Sequence, residues 1–589
     1  MSAHDTGLSS DWDVLLRIGR QHAQHGAWEQ ASRVLYTALE RCHQSTSSDN
    51  ELNVCVILRE IASVERGMGR YGNALAVLEQ LLAKLGDAEQ LRLKVLGEYG
   101  TVLRSMGRLE AARDAFSQQY DMAVQLQAEQ QKCRSIGNLG VINFQLWQRT
   151  EVDILLSTAF EQLKERVESA RALRQAFATD SAKESKVDYI LTLEAVGLAR
   201  LSLCHDARGS KSEALATALQ SLELARGLSD PTVEAISRFF YGRALLNFNQ
   251  RAEALAQFDL PKACSPAVAF CKEPSEENHV YLKELLDCGA EMDTPDEHSY
   301  TALDYAVFNG DQDAISIVVE SLRQRAVIRK DSPEVQVAER VREAELRKGY
   351  REILQEGMRP LFLRPDNDTL QQVRLAYAEA HERYGKTGRS FDPLKFVKYQ
   401  DFRAFEKFPR SSDGLTQVFH KTAKEIQHVV FISYRWVNRD PWAKFPDDTE
   451  NSQYRRTLAA VDDFLAACPS IEPSSLGIWV DFACIDQNDP MPGIAALPML
   501  IAQCDALISL VDEHYYNRAW CSVEVMMIHA LRKAYGLHAW YEHVDEPGNR
   551  YVLRAGPAHA DVDPSRKQLR FQSDLARVQF LQRQCQLLC

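Results

Sequence analysis

The chain has 589 residues, 45% of them apolar and 26% charged, which is the composition of an ordinary globular protein. That length exceeds one hydrophobic core, so about three or four folded units of roughly 150 residues are expected. A formal net charge of -13 argues against duplex nucleic acid as a general partner, because phosphate binding needs clustered Lys and Arg.

The start, MSAHDTGLSSDWDV, has no basic stretch followed by an apolar one, so no secretory signal is expected. No apolar run reaches the ~20 residues that span a bilayer. The 13 cysteines are scattered without a C-x-x-C pair, as free thiols in a reducing compartment would be, and the expected location is cytoplasmic.

Residues 10–260 repeat themselves. A small residue is followed twelve positions later by alanine four times: Gly19 and Ala31, Ala62 and Ala74, Gly100 and Ala112, Gly242 and Ala254. Gly26, Gly69 and Gly107 stand five residues before an alanine, and Gly209 stands so before Ala214. Trp28, Tyr71 and Leu109 follow the first three of those glycines, and Leu35, Leu78, Phe116 and Phe258 follow the alanines. The pattern is that of paired antiparallel helices: the small residue permits close approach, the glycine supplies a turn with φ > 0, and the large residues fill the groove. It resembles the tetratricopeptide family, with a period of about 40 rather than ~34 residues. A continuous heptad coil would tolerate the recurring glycines poorly. Trp147 takes the turn position of a degenerate fourth copy.

Residues 265–325 include LLDCGAEMD followed by YTALDYAVFNGDQDAISIVVESL, which resembles an ankyrin repeat junction with Thr301-Ala302-Leu303 at the signature and Asn309-Gly310-Asp311 at the turn. So short a piece must bury its face on a neighbour, and it is expected to cap the array. Such arrays hold peptides or proteins, so a protein or peptide ligand is the expected partner of the arm. His22 and His25 read as surface residues on an amphipathic helix rather than metal ligands.

Residues 326–424 read as a helical connector. VQVAERVREAELRKGYREIL has the periodicity of a solvated helix, RPDNDTL is a break with an N-cap, and the basic-aromatic stretch to Gly414 reads as an interdomain clamp.

From 425 to 545 strands alternate with helices: HVVFISY, then YRRTLAAVDDFLAA; GIWVDFACI, then LPMLIAQC; ALISLV, then AWCSVEVMMIHALRKAY. This implies an α/β domain with a parallel sheet and functional loops at the strands' carboxyl ends. Residues 546–589 read as a polar segment broken at Gly548, Gly556 and Pro557, then a helix docked on the module. Cys484, Cys504, Cys521 and His514 are irregularly spaced, so buried thiols are expected rather than zinc ligands, and Asp481 and Asp486 are expected to cap loops rather than bind Mg2+.

Phe431-Ile432-Ser433-Tyr434 with Asp440 downstream resembles the first box of TIR domains, GIWVDFACIDQ the second, and Trp520-Cys521-Ser522-Val523-Glu524 the third-helix motif. WVDFACIDQ and RAWCSVE are also similar to the related fungal heterokaryon-incompatibility domain. The long first loop and Asp489-Pro490-Met491-Pro492-Gly493 depart from the TIR pattern. The resemblance implies a flavodoxin-like topology, homotypic association, and NAD+ as a substrate cleaved between nicotinamide and ribose, with Glu524 catalytic. Arg435, Trp436 and Trp520 would contact the dinucleotide. Nicotinamide leaves as a neutral group and needs no acid, so one carboxylate beside the developing oxocarbenium ion suffices. The architecture is that of a sensor-effector signalling protein; the alternative is a non-enzymatic adaptor.

Overall fold

The small-residue pattern of the first half folds as helix hairpins in the computed structural model, which describes residues 11–24, 28–44, 50–86, 88–178, 187–260, 263–363, 365–366, 368–384, 391–420, 426–438, 445–546, 550–558 and 562–588. The chain divides into two units, Met1–Lys348 and Gly349–Cys589.

In the first unit Asp11–Gln24 pairs with Trp28–Gln44, Asn50–Gly67 with Tyr71–Lys84, and Glu89–Ser105 with Leu109–Gln125. Trp28, Tyr71 and Leu109 are therefore the first residues of the second helices. Gly69, Gly107 and Gly209 adopt φ of 70°, 71° and 78°, as turn glycines should; Gly26 and His25 lie outside the described residues. Close approach is real at the other glycines. A Cβ on Gly100 would lie 2.7 Å from Phe116 Cε1, and one on Gly242 2.4 Å from Phe258 Cε1. Trp147, however, lies inside the helix Glu129–Thr150, and the left-handed turn residue is Glu151 at φ 55°. Without a glycine to stop it, that helix runs on three residues beyond the expected turn.

Two further hairpins follow, Pro266–Lys272 with Glu276–Cys288 and Ala302–Asn309 with Gln312–Arg329. Thr301 and Asp304 form a reciprocal N-terminal cap on Ala302–Asn309, and Gly310 ends the same helix at φ 67°. Tyr281, Leu282, Leu303 and Ile317 share one apolar core with Phe239 and Phe258 of the preceding array. The connector is not wholly solvated: Arg347 is buried, 2.5 Å from the buried Asp304 carboxylate.

The second unit carries the strands β1 (Lys395–Lys398), β2 (Gln417–Val418), β3 (His428–Ser433), β4 (Leu476–Trp479), β5 (Ala506–Val511), β6 (Ala539–Glu546) and β7 (Arg550–Ala555). Their order is β2-β1-β4-β3-β5-β6-β7. The four central strands are parallel, but β1, β2 and β7 join antiparallel, so the sheet is mixed rather than parallel throughout. The stretch read as a clamp supplies β1 and β2, because Phe396 and Val397 bury against β4. Phe431 of β3 stacks on Trp479 of β4 at 4.1 Å. Helices Ser452–Ala467, Met491–Ile501 and Ala519–Tyr535 make the connections, and the terminal helix Leu575–Gln584 packs on Ala519–Tyr535 with Val578 and Leu581 buried.

Gly242→Ala should lower the stability of the first unit by about 1–3 kcal/mol, because Phe258 has no room to retreat. Urea unfolding reads this directly, and an unchanged midpoint would contradict the close-approach role of these glycines.

Candidate functional site

In an open sheet of parallel strands, ligands bind outside the carboxyl ends, in the crevice where successive connections leave a strand toward opposite sides. Here β3 lies between β4 and β5, so that crevice opens above β3 and β5. Ser433 ends β3, Asp481 follows β4, Asp512 follows β5, and Glu524 lies in the first turns of the helix Ala519–Tyr535.

Glu524 keeps some accessible surface, yet protein surrounds its carboxyl group. Its oxygen accepts a hydrogen bond of 2.5 Å from Ser433 Oγ. Burial pushes the carboxyl from 4.5 up to about 8; the Ser433 hydrogen bond opposes the rise and the Asp481 charge adds to it. Ser433 Oγ also lies 2.5 Å from the Tyr515 hydroxyl, which lies 3.0 Å from Ser509 Oγ. Asp481 is itself raised by burial, and it accepts from Tyr434 Oη at 2.6 Å, Trp436 Nε1 at 3.1 Å and the Phe482 N–H at 2.6 Å. Its lone pairs are thus engaged by the loop, as a capping role requires.

Of the residues singled out in the sequence, Trp436 bonds Asp481, and Asp481 acts on Glu524 through its charge alone. Arg435 is held elsewhere: its Nε and Nη2 lie 2.8 and 2.7 Å from Asp512 Oδ2. Burial would raise the Asp512 carboxyl, but Arg435 outweighs it and holds it low. Trp520 is partly exposed one turn before Glu524 and makes no ring contact among the described residues. Asp440 lies outside the described residues. Cys484, Cys504 and Cys521 are buried thiols on separate elements, with Cys521 pushed up by burial, and His514 is exposed. The loop residues Met491–Gly493 are helical, opening Met491–Ile501. Sequence reasoning missed Tyr515 and Ser509. Tyr515 sits in a short 3-10 turn and Ser509 inside an apolar strand, where neither carries a motif.

A second polar site lies within the first unit. Arg66, Arg149, Arg200 and Arg243 come from the first helices of four hairpins and meet Glu273, Glu276, Glu277 and Glu284. Arg149 and Glu276 are 2.7 Å apart, Arg243 and Glu284 2.9 Å, and Arg200 Nη2 donates to Glu277 Oε2 at 3.1 Å. Burial would raise Glu277, but Arg200 holds it below its usual range. A cavity of about 460 Å³ opens here, bordered by Arg104, Arg200 and Tyr281. The chain's own segment 273–284 therefore lies against the first helices of these hairpins.

No family model and no curated protein matches the chain. Solved structures align with parts of it. The apo form of RapI is 12% identical, over 54% of this chain and 99% of that one, with a TM-score of 0.37. The pilF protein of Pseudomonas aeruginosa is 18% identical, over 43% and 90%, with a TM-score of 0.29. The TPR2AB domain of yeast Sti1, in complex with pHSP90, is 15% identical, over 47% and 97%, with a TM-score of 0.20. At such scores the superposition is loose, and the helical-repeat architecture rests on the hairpins themselves.

Two outcomes follow from this geometry. Glu524 holds its proton more tightly folded than unfolded, so its contribution to stability is full below about pH 4.5, falls as pH rises and is lost above about 8. Glu524→Gln lacks that titration, and its melting temperature relative to the natural chain should climb between pH 5 and pH 9; a constant difference would contradict the burial of the acid. Arg200→Met strands Glu277 and should cost about 3–5 kcal/mol in urea unfolding, against near zero for a solvated pair.

Proposed function

We propose that the chain is a sensor-effector signalling protein. Its tetratricopeptide-like arm, capped by an ankyrin-like segment, binds a protein or peptide, and its TIR-like unit self-associates and hydrolyses NAD+ at the nicotinamide–ribose bond. The observation that carries this reading is Glu524: a desolvated carboxyl group on a residue that keeps some accessible surface, beside the carboxyl ends of parallel strands. Acids with such shifted ionisation concentrate at functional sites.

In the proposed reaction the C1′–N bond breaks and nicotinamide leaves with the bonding pair as a neutral molecule. The Glu524 carboxylate stabilises the cationic ribose, and water adds to C1′ and releases a proton, giving ADP-ribose. Because Glu524 is protonated at neutral pH before substrate arrives, kcat/KM should rise toward pH 8 and level off above it. The positive pyridinium ring favours loss of that proton on entering the crevice. Trp436 and Trp520 would line the dinucleotide's path, and Arg435 would reach phosphate only by leaving Asp512. No helix among the described residues is long and apolar enough to cross a membrane, and a cytoplasmic location and absence of nucleic acid remain part of the proposal.

One observation favours a second reading. Arg435 and Trp436 are already bonded within the unit, to Asp512 and Asp481, as suits an adaptor that acts only through association.

Concentrated purified protein incubated with NAD+ should release nicotinamide, and Glu524→Gln should slow the release by about 100-fold or more. Equal release from that variant overturns the catalytic assignment. No release at any concentration, with self-association abolished by changes in residues 484–498, would establish the adaptor instead.

A further inference from the structure

Among the cations that line the cavity of the first unit, one has no acid. The carboxylates on its wall are taken: Glu273 by Arg66, Glu276 by Arg149, Glu277 by Arg200 and Glu284 by Arg243. Lys272, also on the wall, lies 3.9 Å from Asp296 Oδ2. Arg104 is the exception. It lines the cavity from the last turn of the helix Glu89–Ser105 and is half-buried. Its side chain makes no ion pair or hydrogen bond among the described residues.

The surroundings make that position costly. Burial pulls the Arg104 guanidinium below the usual arginine range. Glu277, already bonded to Arg200, opposes this through its charge alone, while Arg200 and Arg66 repel the cation. A charge taken from water without a partner is destabilising, so proteins rarely leave one in that state.

A second unsatisfied group lines the same cavity. Gln145, on the helix Glu129–Thr150, keeps its amide Oε1 buried without a hydrogen-bond partner. A carbonyl oxygen of this kind only accepts. The two groups call for complementary chemistry: a fork of N–H donors needs an anion, and a lone acceptor needs a donor.

We propose that this cavity binds a small organic anion, a carboxylate or phosphate monoester that also carries a hydroxyl or N–H group. Arg104 holds the anion, and Gln145 Oε1 accepts from the donor. The planar guanidinium fits two oxygens of either headgroup side by side. A volume of about 460 Å³ lies within the range of small-molecule sites. Glu277 and Tyr281 wall the cavity from the segment 273–284, and Arg104 and Gln145 wall it from the hairpins. A bound anion therefore lies between two parts of the arm and stabilises their contact. The site is independent of Glu524 and of any protein ligand on the arm.

The test is calorimetric titration and melting of the full chain with two matched probes, glycerate and glycerol 3-phosphate. They share hydroxyl groups and differ in the charged headgroup. At least one should bind saturably below about 10 mM and raise the melting temperature. Binding of one probe alone identifies the headgroup. Arg104→Met should weaken that binding by about 30-fold or more, and Gln145→Leu by about 10-fold. Without a probe, Arg104→Met should melt no lower than the natural chain, because an apolar side chain of similar length replaces a stranded cation. An arginine that only holds the fold would give a clearly lower melting temperature on this change. One that is only solvated would give no saturable anion binding. Either result overturns the proposal, as does equal binding by Arg104→Met and the natural chain.

Discussion

The strand β3 is flanked on both sides by parallel neighbours, and the chemistry of the second unit follows from that pairing. A parallel strand must hand its chain to a crossover at its carboxyl end. The connections from β3 and its neighbours therefore lead away in different directions and leave their last residues facing one crevice. Ser433, Asp481 and Asp512 come there from three strands. The helix returning from β5 then starts close enough to place Glu524 against Ser433. Removing an acid from water is costly, and the costs are offset locally: Ser433 bonds Glu524, while Tyr434 and Trp436 bond Asp481. What results is a carboxyl group whose charge is poised rather than fixed.

The arm solves a different problem. Arg66, Arg149, Arg200 and Arg243, on four different helices, need partners where they are taken from water. The segment 273–284 supplies the carboxylates. Buried ion pairs contribute little net stability, because desolvation consumes most of the attraction. Tyr281, on the same segment, enters the core beside Phe239 and Phe240.

Much of this was legible in the sequence where the physics is local. The glycine turns at Gly69, Gly107 and Gly209, and the tight pairs Gly100 with Phe116 and Gly242 with Phe258, follow from residue size and spacing. Three of the four parallel strands, β3, β4 and β5, read as apolar runs because both faces are covered. Strand β6 was not legible, since Glu542 and His543 are buried within it and interrupt the apolar run. Glu542 is held there by Arg554 of β7, 2.8 Å away, a partner that no local pattern announces. Strand β1 is four residues long with lysines at both ends, and only its place beside β4 makes it a strand. At the site, Glu524 stood in a motif and Trp436 just past one, whereas Tyr515 and Ser509 become functional candidates only once two strands lie side by side.

The central claim is spatial: an acid poised between charged and neutral forms sits where a ribose would lie. A structure of the chain with a hydrolysis-resistant NAD+ analogue tests it most directly. The account predicts the nicotinamide-bearing ribose against Glu524, with the Ser433 hydroxyl still on the carboxylate. A saturated analogue lying away from the carboxyl edge of β3 and β5 would contradict it.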